Sequence, residues 1–205
     1  MPKKPLAKKS SAKKSPTKKS PAKKKSAKKS TPRIKNSVKG KKEKFTFGKF
    51  LIAVCLIALP LVVGLISAAL TGDAMMNFNT LRQPPLAPPA WIFPFAWTIL
   101  YLLMGVASYL IYRFKPKTPA EKDLRKTELI IYSIQLIFNF CWTIFFFRLG
   151  LRFFAFGWLV AMWLMIYALI FMTFKNRKSA AWCLIPYILW CTFAAYLNIM
   201  IAMLN

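Results

Sequence analysis

The chain has 205 residues, a net charge of +27 and 57% hydrophobic residues. A soluble domain rarely combines these extremes, so the totals exclude one uniform domain and describe two unlike parts joined together. With no histidine and only five acidic residues, the composition also offers little for acid–base chemistry or a metal centre.

Residues 1–45 make the first part, a disordered Lys-rich tail. A lysine pair recurs every five residues, at Lys3-Lys4, Lys8-Lys9, Lys13-Lys14, Lys18-Lys19, Lys23-Lys24 and Lys28-Lys29. Ala, Ser, Pro and Thr fill the gaps. Such a segment has almost no apolar surface to offset the entropy of ordering, so it is expected to stay disordered. No apolar stretch follows it closely, and Arg33 is its one arginine. It therefore fits neither a cleavable signal peptide nor an Arg-rich transit peptide. The plainest reading is a solvated polycation. Two sharper ones are nucleic acid, held through counterion release, and anionic lipid, at about 1 kcal/mol per Lys or Arg near the surface. Ser15-Pro16, Ser20-Pro21 and Thr31-Pro32 resemble the tails of linker histones, and phosphorylation there weakens either interaction.

Residues 46–205 make the second part. Five segments reach the length of about 20 mainly apolar residues that a bilayer needs: residues 50–70, 91–112, 129–147, 153–174 and 180–204. None holds Asp, Glu, Lys or Arg. A buried helix of a soluble protein carries a polar face, so the pattern predicts an all-α integral membrane bundle of five transmembrane helices. This boundary choice places every acidic residue in the tail or in a loop. The four cysteines lie within the apolar segments without a CxxC pair and read as small buried hydrophobes.

The loops alternate in charge. Residues 71–90 carry one basic residue, residues 113–128 six, residues 148–152 two and residues 175–179 three. The excess of positive charge places the tail and the second and fourth loops on the cytosolic side. Which membrane holds the chain stays open. Within the first loop, the prolines at 84, 85, 88 and 89 rule out a helix and predict a stiff, lid-like connection. Trp91 follows as an interface anchor.

Polar residues inside spans are informative because they are costly unless paired. Gln135 and Asn139 share one face of the third span with Trp142, and Asn198 sits in the fifth. Interhelical hydrogen bonding is one reading; a polar handle in an aromatic pocket is the other. Trp97 and Tyr101 stand one turn apart on the second span. Trp190, Ala194 and Leu197 or Asn198 share a face of the fifth. Aromatic stripes of this kind taken alone are packing or interface anchors.

Three motifs carry a resemblance. The run LRQPPLAPPAWIFPFAWTILY at residues 81–101, with Met104-Gly105 after it, resembles the signature of the TspO/MBR family, the translocator protein or peripheral benzodiazepine receptor. Gln135-Leu136, Asn139, Trp142 and Phe145-Phe146 resemble its third helix. Pro186-Tyr187, Trp190, Phe193-Ala194 and Leu197-Asn198 resemble its fifth. The resemblance covers residues 46–205. It implies a five-helix bundle, usually a homodimer, with a pocket under the first loop. It implies porphyrin or haem as ligand rather than as a required cofactor, with cholesterol and synthetic isoquinolines or benzodiazepines bound by some members. Carried over by position, Trp97 and Trp190 face the pocket and contact the ligand, while Tyr101, Asn139, Trp142, Ala194 and Leu197 line it. Two departures stand out. Asn77-Phe78 occupy positions where the family often has Trp-Tyr, and Ile199 and Met203 stand where animal members carry a sterol-recognition Tyr and Arg.

Three functions follow as expectations. The first is a membrane receptor or carrier for hydrophobic ligands, tetrapyrroles foremost, in a Trp-lined pocket. The second is an enzyme that degrades porphyrin with light and oxygen, as some family members do. It finds no general acid or base among these residues and would depend on tryptophan radicals. The third is a membrane tether whose tail binds nucleic acid or anionic lipid. An ion-coupled transporter is disfavoured by the absence of charge in the spans.

Overall fold

A computed structural model describes residues 47–76 and 80–205. The Lys-rich tail and Asn77-Phe78 lie outside the described residues. Five helices follow one another: α1 (Phe47–Met76), α2 (Ile92–Arg113), α3 (Pro119–Thr143), α4 (Arg152–Asn176) and α5 (Lys178–Leu204). Each contains a stretch long and apolar enough to cross a membrane, and the described residues hold no strand. The chain is an all-α, five-helix membrane bundle.

Four of the five helices start before their expected spans, α3 by the most, while α2 is shifted by one residue. Its start is set locally. Thr118 accepts a hydrogen bond from the Glu121 N–H at 3.2 Å, Pro119 takes the first helical position, and the Glu121 carboxylate accepts from the Lys117 N–H at 2.6 Å. Capping of this reciprocal kind satisfies donors that a helix start leaves orphaned. Its Thr-x-x-Glu signature is legible in the sequence, and it moves the helix start ten residues upstream of residue 129. Glu128 thereby falls inside α3, fully buried. Glu121 and Asp123 also sit on α3, and Asp73 lies within α1. The expectation that every acid outside the tail lies in a loop is corrected: the apolar window stopped where the first charge appeared, and the capped helix did not.

Glu128 forms an ion pair with Arg177, the single residue between α4 and α5. The Arg177 guanidinium also lies 4.0 Å over the ring of Phe114, in the α2–α3 connection. An unpaired charge at this depth costs several kcal/mol, so the pair and the aromatic face are what make the burial tolerable.

Between helices in lipid the hydrophobic effect contributes little, so close approach and hydrogen bonds decide the packing. Gly105 lets α1 and α2 meet: a Cβ there would stand 2.6 Å from the Ile57 backbone. Ser108, one turn on, donates to the Gly105 carbonyl at 2.9 Å. Met104, Ile111, Met162, Ile166, Leu184 and Tyr187 form the interior, while Leu65, Phe171 and Leu189 face outward. Of the cysteines, which are all free, Cys191 is buried and Cys55 is exposed on α1. The reading of all four as buried hydrophobes therefore fails at Cys55, on a face of α1 that stays uncovered among the described residues.

After Thr143 the helix widens into one π-helical turn, Ile144–Arg148. The Leu149 N–H donates to the Ile144 carbonyl and the Leu151 N–H to the Phe145 carbonyl, both at 3.0 Å. The extra residue per turn rotates the following side chains. Gly150, at φ 64°, then ends the segment in the left-handed conformation that glycine adopts without a Cβ penalty.

Candidate functional site

A cavity of about 490 Å³ lies between α1, α2, the end of α3 with its π turn, and α5. Leu61, Gly64, Ser67 and Thr71 come from α1; Phe93, Trp97 and Tyr101 from α2; Trp142, Thr143, Phe146 and Phe147 from the α3 end; Ala194, Leu197, Asn198 and Ile201 from α5. No lining residue is charged. The volume and apolar lining fit the size range of small-molecule sites.

Local geometry holds the aromatic faces in place. The Trp97 ring stacks on Tyr101 with centroids 5.4 Å apart and meets Tyr187 edge-on at 6.4 Å. Gly64 makes room for this arrangement, because a Cβ there would come within 2.2 Å of the Tyr101 ring. Trp142 stacks on Phe146 at 5.4 Å. Its indole N–H donates to the Asn198 side-chain oxygen at 3.1 Å, and the Asn198 side-chain amide donates to the Arg152 backbone carbonyl at 2.8 Å. The hydroxyls on the wall are largely engaged with protein. Ser67 and Thr143 hydrogen-bond to each other across α1 and α3. Thr71 donates to the Ser67 carbonyl, Thr98 to Pro94 and Thr143 to Phe140, at 2.7–2.8 Å. The result is a preorganised aromatic chamber. Among the described residues, no group of His, Cys, Asp and Glu is placed to hold a metal ion.

Of the seven residues assigned to the pocket from sequence, Trp97, Tyr101, Trp142, Ala194 and Leu197 reach its wall. Asn139 and Trp190 do not line it. Asn139 is fully buried behind Tyr101, whose hydroxyl donates to its side-chain oxygen at 2.8 Å. The Asn139 amide donates to the Tyr187 hydroxyl at 3.2 Å, and Tyr187 donates to Gln135 at 2.8 Å. Both ends of the Asn139 amide are thus engaged with neighbouring helices, whereas Gln135 accepts from Tyr187 and its buried side-chain nitrogen has no partner among the described residues. Trp190 is half-buried and meets Phe93 edge-on at 6.1 Å. Phe93 takes the wall position, and Trp190 supports it from behind.

Sequence reasoning missed the contribution of α1. Its signal is a stripe of small and hydroxylated residues at helical spacing, Gly64, Ser67, Ala68 and Thr71, which marks close contact in membrane helices. It also missed that both Phe146 and Phe147 face the cavity, an outcome of the π turn.

Residues 56–204 match the sequence profile of the TspO/MBR family. The chain belongs to the TspO/MBR family. It is 32% identical over 155 residues to the tryptophan-rich protein TspO of Chlorobaculum tepidum, covering 75% of this chain and 95% of that protein. It is 33% identical over 128 residues to the tryptophan-rich sensory protein of Cereibacter sphaeroides, covering 62% and 76%. It is 32% identical over 151 residues to the translocator protein of Bos taurus, covering 71% and 85%. All the cavity residues fall in the part matched to the TspO/MBR family. Membership and the five spans together make the chain an integral, multi-pass membrane protein.

Proposed function

We propose that the protein is a membrane receptor or carrier that takes hydrophobic ligands, tetrapyrroles foremost, into the chamber between α1, α2, α3 and α5. The observation that carries this reading is the uncharged cavity of about 490 Å³ with Trp97 and Trp142 on its wall. Flat conjugated rings gain from stacking on indole faces, and indoles already fixed by Tyr101, Phe146 and Asn198 lose little freedom on binding. The charge-free wall favours the apolar body of the ligand and keeps ionised substituents at the mouth, since an unpaired charge inside is costly. The tail, with anionic lipid or nucleic acid as its partner, is a separate module in this reading.

The test is a titration of the full chain in lipid nanodiscs with protoporphyrin IX, followed by pigment absorbance. Trp97→Ala combined with Trp142→Ala is expected to weaken binding by about tenfold or more, at roughly 1 kcal/mol or more per lost aromatic contact. Equal affinity of wild type and double variant overturns the assignment of the pocket.

A further inference from the structure

The chamber wall is uncharged, but its edge is not. Arg82, Arg148 and Arg152 are the charged side chains described at the chamber end, while Glu121, Asp123 and Glu128 lie near the start of α3, at the other end. Two of these arginines adjoin the wall. Arg148 donates from Nη1 to the Leu70 carbonyl at 2.9 Å. Leu70 precedes Thr71, and Phe147 precedes Arg148; both Thr71 and Phe147 line the chamber. The guanidinium of this exposed residue is thereby pinned at the chamber edge, and the bond to Leu70 is its one hydrogen bond among the described residues. Arg152 opens α4, and its backbone carbonyl accepts from the side-chain amide of Asn198, another wall residue, at 2.8 Å. Arg152 is half-buried, and its Nε is buried with no partner among the described residues. A cation in the first turn of a helix opposes the macrodipole, so the helix gives no local reason for an arginine there. Arg82 stands apart on the α1–α2 connection, where its N–H and its carbonyl both bond the Asn205 side chain.

We infer that Arg148 and Arg152 form a carboxylate-binding rim, which makes the preferred ligand an anionic amphiphile: a flat apolar body inside the chamber with ionised carboxylates at its edge. The inference deepens the proposed ligand-binding reading and rests on it. An ionised carboxylate is costly against the uncharged wall, so it stays where guanidinium groups can pair with it. The planar guanidinium fork matches a carboxylate through two parallel N–H bonds. Trp97 and Trp142 stack on the ring whether or not it is charged, so they set the affinity for the body. The arginines distinguish an acid from its neutral analogue. The same pairing fixes which edge of the ligand faces outward.

The test compares protoporphyrin IX with its dimethyl ester on the full chain in nanodiscs of zwitterionic lipid. The ester keeps the ring and loses both charges. Affinities are read as the ratio of variant to wild type for each ligand, so lipid partition and any attraction from the Lys-rich tail cancel. Arg148→Gln and Arg152→Gln are each expected to weaken binding of the diacid about fivefold, the upper range for one ion pair at an exposed site, and the double variant by about tenfold or more. For the ester, which offers no charge to pair, the ratio is expected to stay within about twofold. Arg148→Lys keeps the charge without the fork and is expected to fall between wild type and Arg148→Gln. Added salt should narrow the difference for the diacid. Unchanged diacid affinity in the double variant overturns the rim. An equal loss for both ligands also overturns it, since the arginines then only support the fold. Either result leaves the chamber assignment standing. A wild type that binds neither ligand overturns the tetrapyrrole reading and the rim together.

Discussion

Where α3 begins, Glu128 and Arg177 join α3 to the α4–α5 turn through a buried ion pair, and Phe114 carries the guanidinium on its ring. At the opposite end of the bundle, the α1–α2 connection is tied to α5 by neutral hydrogen bonds from Tyr196 and Asn205, and its Leu81 and Ala87 pack against the core. The difference is one of reversibility. Breaking a buried ion pair leaves a bare charge in a medium that cannot solvate it. Breaking a bond to an exposed carbonyl exchanges one partner for water at little net cost. The bundle is therefore joined by a buried ion pair at one end and by exchangeable hydrogen bonds at the other.

Substitutions at three places probe this contrast, in decreasing order of expected effect. Glu128→Ala or Arg177→Ala alone is expected to cost about 3–5 kcal/mol, because either leaves its partner buried and unpaired. Replacing both with leucine recovers most of that loss. Thermal unfolding in detergent reads both results, and single variants as stable as the wild type would remove the clamp from the comparison. Asn198→Ala acts at the chamber end. It strands the buried Trp142 indole N–H and is expected to cost about 1–3 kcal/mol in the same assay. Thr118→Ala removes the α3 cap at an expected cost of about 1 kcal/mol. Circular dichroism should show fewer helical residues near residue 119 with the ion pair intact, and loss of the pair along with the cap would show that the clamp depends on the helix start.

The five spans were legible because length and apolarity alone decide what a bilayer admits. The α3 boundary was not, because a hydropathy window ends at a charge, whereas the capping residues Thr118 and Glu121 act on backbone donors regardless of hydropathy. The pocket was legible in part for a similar reason. Trp97, Tyr101, Trp142, Ala194 and Leu197 sit on helix faces that their spacing predicts. Asn139 shares such a face with Trp142, yet its amide is drawn to Tyr101 and Tyr187, and which partner a buried amide finds depends on the neighbouring helices. Trp190 likewise shares the face of Ala194, but Phe93 from another helix stands before it. The wall from α1 carries no motif beyond small side chains, whose meaning appears only when Tyr101 lies against Gly64.

From the sequence alone came the class of molecule: a bundle of five membrane helices behind a basic tail, with tryptophans at helical spacing in charge-free apolar segments. Hydropathy and periodicity are properties of single segments, so a single chain suffices to read them. The tertiary structure decided which tryptophans meet a cavity, where the one buried ion pair among the described residues closes the bundle, and how Tyr196 and Asn205 tie to the α1–α2 connection. Each of these joins residues from different helices, as Arg82 and Asn205 do across 123 positions, and such a pairing is set by how the helices pack.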